Sequence, residues 1–218
     1  DACKGITIKR GSPLLRNLVF EFKSVGILCI QKSKPRIYNC NIVHNFTSGV
    51  IVRESNPVFL NNIIAFNKDH GIWSDNISFI NLKYNCIHGN NEGNLLGCDP
   101  KFGKLTRLNK NKDSTDFAYN LFNDPVFAGS VADSLAVELD LSLQTDKSRI
   151  KDTTLAKIMH TTLADSIAQK WILRDFKRYA LSSYSPCINA GNPKKLFLDL
   201  DGSKNDMGIY GGQEFGEF

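Results

Sequence analysis

The densest set of oxygen ligands in the chain lies in LDLDGSKNDMG, residues 198–208. Asp199, Asp201 and Asp206 stand around Gly202, with Ser203 and Asn205 between them. Calcium gathers carboxylate and carbonyl oxygens at such close spacing, so these three aspartates are the candidate metal ligands. The segment lacks the distant bidentate glutamate of an EF-hand loop, and tight Asp-Gly turns closed by side-chain hydrogen bonds account for the same residues. Calcium is the one cofactor the sequence allows, and otherwise none is expected.

A second charged set comprises Lys9, Arg10, Arg53, Glu54 and Asp75. Proton abstraction beside a uronate needs a basic residue and neutralisation of the sugar carboxylate. Glycoside hydrolysis needs two facing carboxylates, for which Glu54 and Asp75 are the nearest candidates. These charges are spread along the sequence rather than clustered. His44, His70, His88 and His160 stand singly, and neither a Gly-x-Ser-x-Gly elbow nor a phosphate loop is present. No residue is therefore assigned a catalytic role.

The elements that position these groups follow from a repeat. Pro13, Pro35 and Pro57 recur every 22 residues, as do Asn17, Asn39 and Asn61. Gly5, Gly26, Gly49 and Gly71 keep nearly the same spacing, and Asn45, Asn67 and Asn90 continue it. A fixed period of this length signals stacked structural units. The leucine pattern of leucine-rich repeats is absent, and helical repeats use longer Ala/Leu-rich units. Here GITI, GILCI, GVIV and GIW open short β-branched runs, and NLVF, NCNIV, NNIIAF and NCIH supply a second run per unit. The reading is all-β: a parallel β-helix of about 22 residues per coil, with parallel first strands over 5–10, 26–31, 49–54 and 71–75. Equivalent asparagines are expected to stack about 4.8 Å apart, with Asn17, Asn39 and Asn61 forming one structural ladder.

Alternation along the first strands turns Ile27, Cys29, Val50, Val52 and Ile72 inward. Leu28, Ile51 and Trp73 then form an outward column, flanked by Arg53 and Asp75. Outward apolar columns mark contacts, so these five residues are the candidate binding set, with Arg53 and Asp75 a cross-strand pair on adjacent coils. The alternative is that another part of the chain covers the column.

The repeats resemble the right-handed parallel β-helix superfamily, which includes pectate lyases and many secreted surface proteins. SPCINAGNP (residues 185–193) and LDLDGSKNDMGIYGG (residues 198–212) resemble the closing S-P-x-I-x-A-G-x-P and D-x-D-G-x-x-x-D-x-G-x-Y-G-G segments of bacterial members. The resemblance covers roughly residues 5–128 and 180–215. It implies a bacterial protein that is secreted, periplasmic or at the cell surface. It fixes fold better than function. Coils are expected over residues 1–128, an α-helical insertion over 129–180, and a closing coil with a C-terminal cap over 181–218. Within the insertion, Leu155, Met159, Leu163, Ile167 and Trp171 recur every four residues, the pattern of an amphipathic helix over about 153–178.

Composition bounds the partners. The 218 residues carry a formal charge of +5, too mild and too dispersed for a nucleic-acid footprint. No apolar run is long enough to span a membrane. The six cysteines lack zinc-site spacing. Cys29, Cys40 and Cys86 fall in the repeat as buried thiols, whereas a disulfide among Cys3, Cys98 and Cys187 stays open. The chain starts at Asp1 and enters its first coil almost at once, so it reads as processed or as part of a longer solenoid. The expected function is a non-catalytic extracellular module binding glycan or protein, at the open N-terminal coil or at the outer apolar column. The alternatives are a polysaccharide lyase or glycosidase, and a structural subunit of a larger assembly.

Overall fold

In the computed structural model the described residues are 3–128 and 179–212. Three parallel sheets wind through the first of these segments. One contains Ile6–Lys9 (β1), Ile27–Ile30 (β4), Val50–Val52 (β7), His70–Ser74 (β10) and Gly93–Leu96 (β13), in that spatial order. The second holds Leu14–Arg16 (β2), Arg36–Tyr38 (β5), Val58–Leu60 (β8) and Asn81–Lys83 (β11). The third holds Val19–Glu21 (β3), Asn41–Val43 (β6), Ile63–Ala65 (β9) and Cys86–His88 (β12). Each strand pairs in parallel with its equivalent one coil away. The four first strands read from the glycine spacing are β1, β4, β7 and β10. A short antiparallel pair, Arg107–Leu108 (β14) and Ser114–Thr115 (β15), occupies an excursion after the last coil.

The strands are short because a left-handed residue ends each side of the coil. One corner column is Arg10, Gln31, Glu54 and Asn76; a second is Asn17, Asn39, Asn61, Tyr84 and Tyr119; a third is Phe22, His44 and Phe66. All have φ between 48° and 63°. Such φ values are uncommon for bulky residues. They persist here because the corner N–H groups bond the next coil, as in Arg10 N to Ile30 O, Asn39 N to Leu60 O and Phe66 N to His88 O.

Inward side chains form one core. Ile27, Ile37, Ile42, Phe59, Ile64 and Ile72 are fully buried in it, each contributing about 1.5–3 kcal/mol of transfer free energy. Polar ladders line the coil ends. Asn45 Nδ2 donates to Asn67 Oδ1 at 2.8 Å, and Asn67 Nδ2 to Asn90 Oδ1 at 2.8 Å. Asn62, Asn85 and Asn120 form a second ladder, at 2.9 and 3.1 Å. The repeated glycines belong to the same device. A Cβ on Gly49 would lie 2.7 Å from Asn67 Nδ2, and one on Gly71 would lie 2.8 Å from Asn90 Nδ2.

Asn17, Asn39 and Asn61 do not form the ladder expected of them. They share a corner, but left-handed backbone turns their amides outward and gives the ladder position to the next residue, as Asn62 shows. Their partners are in residues 183–212. Asn39 Nδ2 donates to Asn205 Oδ1, Asp206 O and Gly208 O, Asn17 Nδ2 donates to Ile209 O and Gly211 O, and Asn61 Oδ1 accepts from Asn192 N. Residues 183–212, within the closing coil and C-terminal cap expected over 181–218, add no strand to the three sheets. They form a strap along the outside of the corner between the second and third sheets. Its one regular element is a 3-10 turn, Lys195–Phe197, whose Phe197 meets Tyr38 edge-on. On this side of the coils residues that alternation places outside are buried, among them Leu60, Asn41, Ile63 and Cys86. Gly208, at φ 92°, passes so close that a Cβ would meet Asn41 Oδ1 at 2.6 Å.

The chain divides into two compact units, residues 1–125 with 183–218, and residues 126–182. In the second, only 126–128 and 179–182 are described. There Ala128 N donates to Ala180 O, Ser182 N donates to Val126 O, and Phe127 packs edge-on to Tyr179. The helix expected over 153–178 lies outside the described residues.

Candidate binding face and closing loop

The pairing register of the first sheet aligns Thr7, Leu28, Ile51, Trp73 and Leu96 in one column. Alternation turns this column away from the core. Leu28, Ile51 and Trp73 are half-buried and Leu96 is 45% exposed. Sequence reasoning therefore placed Leu28, Ile51 and Trp73 on one continuous outer face. Leu96 was missed because Asn94 stands where the repeat has glycine.

Arg53 and Asp75 flank the column but use their charges differently. The Arg53 guanidinium lies over the Trp73 ring, 5.2 Å from its centroid, an arrangement worth about 0.5–1 kcal/mol at an exposed site. The Asp75 carboxylate is turned to the backbone. Oδ2 accepts from Glu54 N at 2.6 Å, and Oδ1 accepts from Ser78 N at 3.0 Å and Ile77 N at 3.3 Å. Desolvation alone would raise the Asp75 carboxyl. The Ser78 side chain and the N–H groups of Glu54, Ser78 and Ile77 outweigh it and hold the carboxyl below its ordinary value. Asp75 is thus a turn cap across two coils, and Arg53 is the charged edge of an apolar surface.

In the closing segment the three candidate metal ligands are also hydrogen-bonded to backbone. Asp199 accepts from Asp206 N and Gly212 N, Asp201 from Ser203 N at 2.9 Å, and Asp206 from Asn189 N at 2.7 Å. Desolvation raises the carboxyls of Asp199 and Asp206. Proximity adds to it: Asp201 acts on Asp199, and both act on Asp206. Asp201 is held low by the Ser203 side chain and N–H. Among the described residues, no three His, Cys, Asp or Glu side chains come together as a metal-ligand group. The loop's present geometry is that of linked Asp turns.

With the coil geometry in place, comparison with known families gives one match: residues 3–101 match the model of the right handed beta helix region. These coils belong to the right-handed β-helix superfamily. No match was found among curated proteins or solved structures. Among the described residues, no helix is long and apolar enough to cross a membrane.

Other surface features of the β-helix escaped the sequence reading. Phe22, His44 and Phe66 stack along the third corner, with centroids 6.0 and 5.4 Å apart, and His88 meets Phe66 edge-on. Their numbers differ by 22, so the signal was present in the same period that revealed the asparagines. Tyr84 and Tyr119 stack at 5.3 Å on the second corner. Phe79, Leu82, Lys83, Asp99, Phe102 and Phe117 line a cavity of about 340 Å³. Phe102 and Phe117 belong to the excursion, where the period is lost and no sequence signal places them. On the first coil Leu14, Leu18, Val19 and Phe22 are exposed, and β1, β2 and β3 are terminal in their sheets among the described residues.

Proposed function

We propose that this β-helix is a non-catalytic binding module, extracellular or at the cell surface, whose first sheet presents its outer face to a partner protein. The observation that carries this reading is the Leu28–Ile51–Trp73–Leu96 column, continuous over four paired strands with the Arg53 guanidinium on Trp73. A flat row of aromatic rings would suit a glycan. Branched aliphatic side chains around one tryptophan, edged by a cation, suit the apolar centre and charged rim of a protein contact. The non-catalytic part rests on Asp75 and Arg53. Of the two carboxylates that glycoside hydrolysis would need, Asp75 is bonded to three N–H groups, and the nearby cation Arg53 is stacked on a ring. The first coil is the second expected contact region, through its exposed Leu14, Leu18 and Val19.

The test places a photo-crosslinking amino acid at Ile51 in cells producing the protein, with and without Trp73→Glu, alongside glycan-array binding by the purified chain. The expected result is a discrete protein adduct that Trp73→Glu abolishes, with no glycan binding dependent on Trp73. Glycan binding lost in Trp73→Glu, or adduct formation indifferent to it, would overturn the reading.

A further inference from the structure

A pair of buried cysteines joins the strap to the coils, and neither the repeat pattern nor the binding face accounts for it. Cys86 opens β12 and pairs in register with Ile63. The core side chain of that strand is Ile87, so Cys86 faces outward, yet it is fully buried. What covers it is the strap. Cys187 is also fully buried, and the strap carries it to the same place: Met207 N donates to Cys187 O, and the adjacent Gly208 lies against Asn41 and Ile63, which share one register column with Cys86. The surrounding bonds fix both chains at this point. Cys86 Sγ donates to Asn123 O at 3.2 Å, Cys187 N donates to Ser185 Oγ, Ser185 Oγ donates to Pro125 O, and Met207 N donates to Cys187 O. Both cysteines are free thiols in this structure.

We propose that Cys86 and Cys187 are a disulfide site that fastens the C-terminal strap to the last coil. The reaction is thiol–disulfide exchange with a small disulfide such as oxidised glutathione. One thiolate attacks the small disulfide, releasing one equivalent of thiol and forming a mixed disulfide. The second thiolate attacks the protein sulfur of that mixed disulfide. An S–S bond forms between Cys86 and Cys187, the second equivalent of small thiol leaves, and the two protons of the protein thiols end on the two small thiols. The protein pair is oxidised and the small disulfide is reduced.

The pair's position makes formation and loss unequal. The neighbouring Cys187 and desolvation both disfavour the Cys86 thiolate, and the strap excludes reagents from both sulfurs. The docked thiols react slowly, so the bond forms while the strap is undocked, during folding or local opening. Once the strap is docked over the bond, reductants are excluded in the same way. The cross-link joins positions far apart in sequence, which constrains the unfolded chain and raises stability. The sequence reading groups Cys187 with Cys3 and Cys98, and Cys86 with the buried thiols of the repeat. Alternation alone could not pair them, because it does not tell what covers an outward residue.

The experiment unfolds the reduced full chain and refolds it in a buffer of reduced and oxidised glutathione, then maps disulfides by mass spectrometry without reduction. The expected product lacks two hydrogen atoms and yields a peptide linking Cys86 to Cys187, absent in Cys86→Ser and Cys187→Ser. It also melts at higher temperature than the same chain kept reduced. In the folded reduced chain the two cysteines are alkylated more slowly than Cys3, which is exposed. Refolded chain in which both cysteines remain alkylatable across oxidising buffers, a dominant link between any other pair, or an oxidised form that melts no higher would overturn the proposal. The wild-type map decides the matter even if a serine variant does not fold.

Discussion

At the residue scale, Gly49 and Asn67 form one interlocked unit. Asn67 Nδ2 donates to Ile42 O and Asn90 Oδ1, while Asn67 Oδ1 accepts from the main-chain and side-chain nitrogens of Asn45. Asn67→Ala leaves several of these groups buried and unpaired, a loss of about 1–3 kcal/mol or more. Gly49→Ala drives a Cβ to 2.7 Å from Asn67 Nδ2 and 2.9 Å from Gly71 O, and it destabilises as well. Part of that second cost disappears once the amide is gone. Urea unfolding of both single variants and the double is expected to give less than the additive loss, by about 0.5 kcal/mol or more. Strict additivity would mean that the Gly71 carbonyl alone excludes the methyl. A pH effect belongs to the same scale. Asp206 is raised by desolvation and by its acidic neighbours. A raised folded value means that its contribution is fully present below the unfolded value and is lost as pH rises through the folded one. Asp206→Asn keeps an acceptor for Asn189 N and removes the charge. Its melting temperature is therefore expected to match wild type below about pH 4 and to exceed it increasingly toward neutrality. A difference that shrinks as pH rises would refute the assignment.

At the scale of the element, the strap shows both the reach of the sequence and its limit. Fixed spacings of Gly, Pro and Asn locate parallel strands because each coil repeats one backbone path. They cannot tell which way an asparagine points, since the left-handed turn that separates outward Asn61 from inward Asn62 is a backbone property of a single residue. The strap has no period, and the partners of its corner contacts are more than a hundred positions away, such as Asn61 for Asn192. Spacing leaves the calcium expectation open for a related reason. Spacing counts carboxylates, whereas binding depends on how many of their oxygens remain free. Asp199, Asp201 and Asp206 each accept backbone N–H groups, so calcium added to the chelator-treated chain is expected to leave its melting temperature unchanged. A large chelator-reversible rise, lost in Asp201→Ala, would show that the loop reorganises around the ion.

For the whole molecule, stacking makes stability local. In a solenoid each coil is supported mainly by its neighbours, so protection should be graded along the stack rather than shared equally. Strands β4, β5 and β6 are sandwiched between paired strands on both sides, while β1, β2 and β3 are paired on one side only among the described residues. The first coil also holds the less complete core: Ile6 is only half-buried, whereas its register partners Ile27 and Val50 are fully buried. Native-state hydrogen exchange on the full chain is therefore expected to show amides of β1–β3 exchanging well before those of β4–β6 and β7–β9. The strap modifies this gradient in one place. Because Asn17 donates to Ile209 O and Gly211 O, it ties the first coil to the same segment that holds Asn39 and Asn61. Asn17→Ala should accelerate exchange in β2 and β3 while leaving β7–β9 unchanged. Equal acceleration of every coil would show one all-or-none unit, and no acceleration would show that the strap lends the first coil no support.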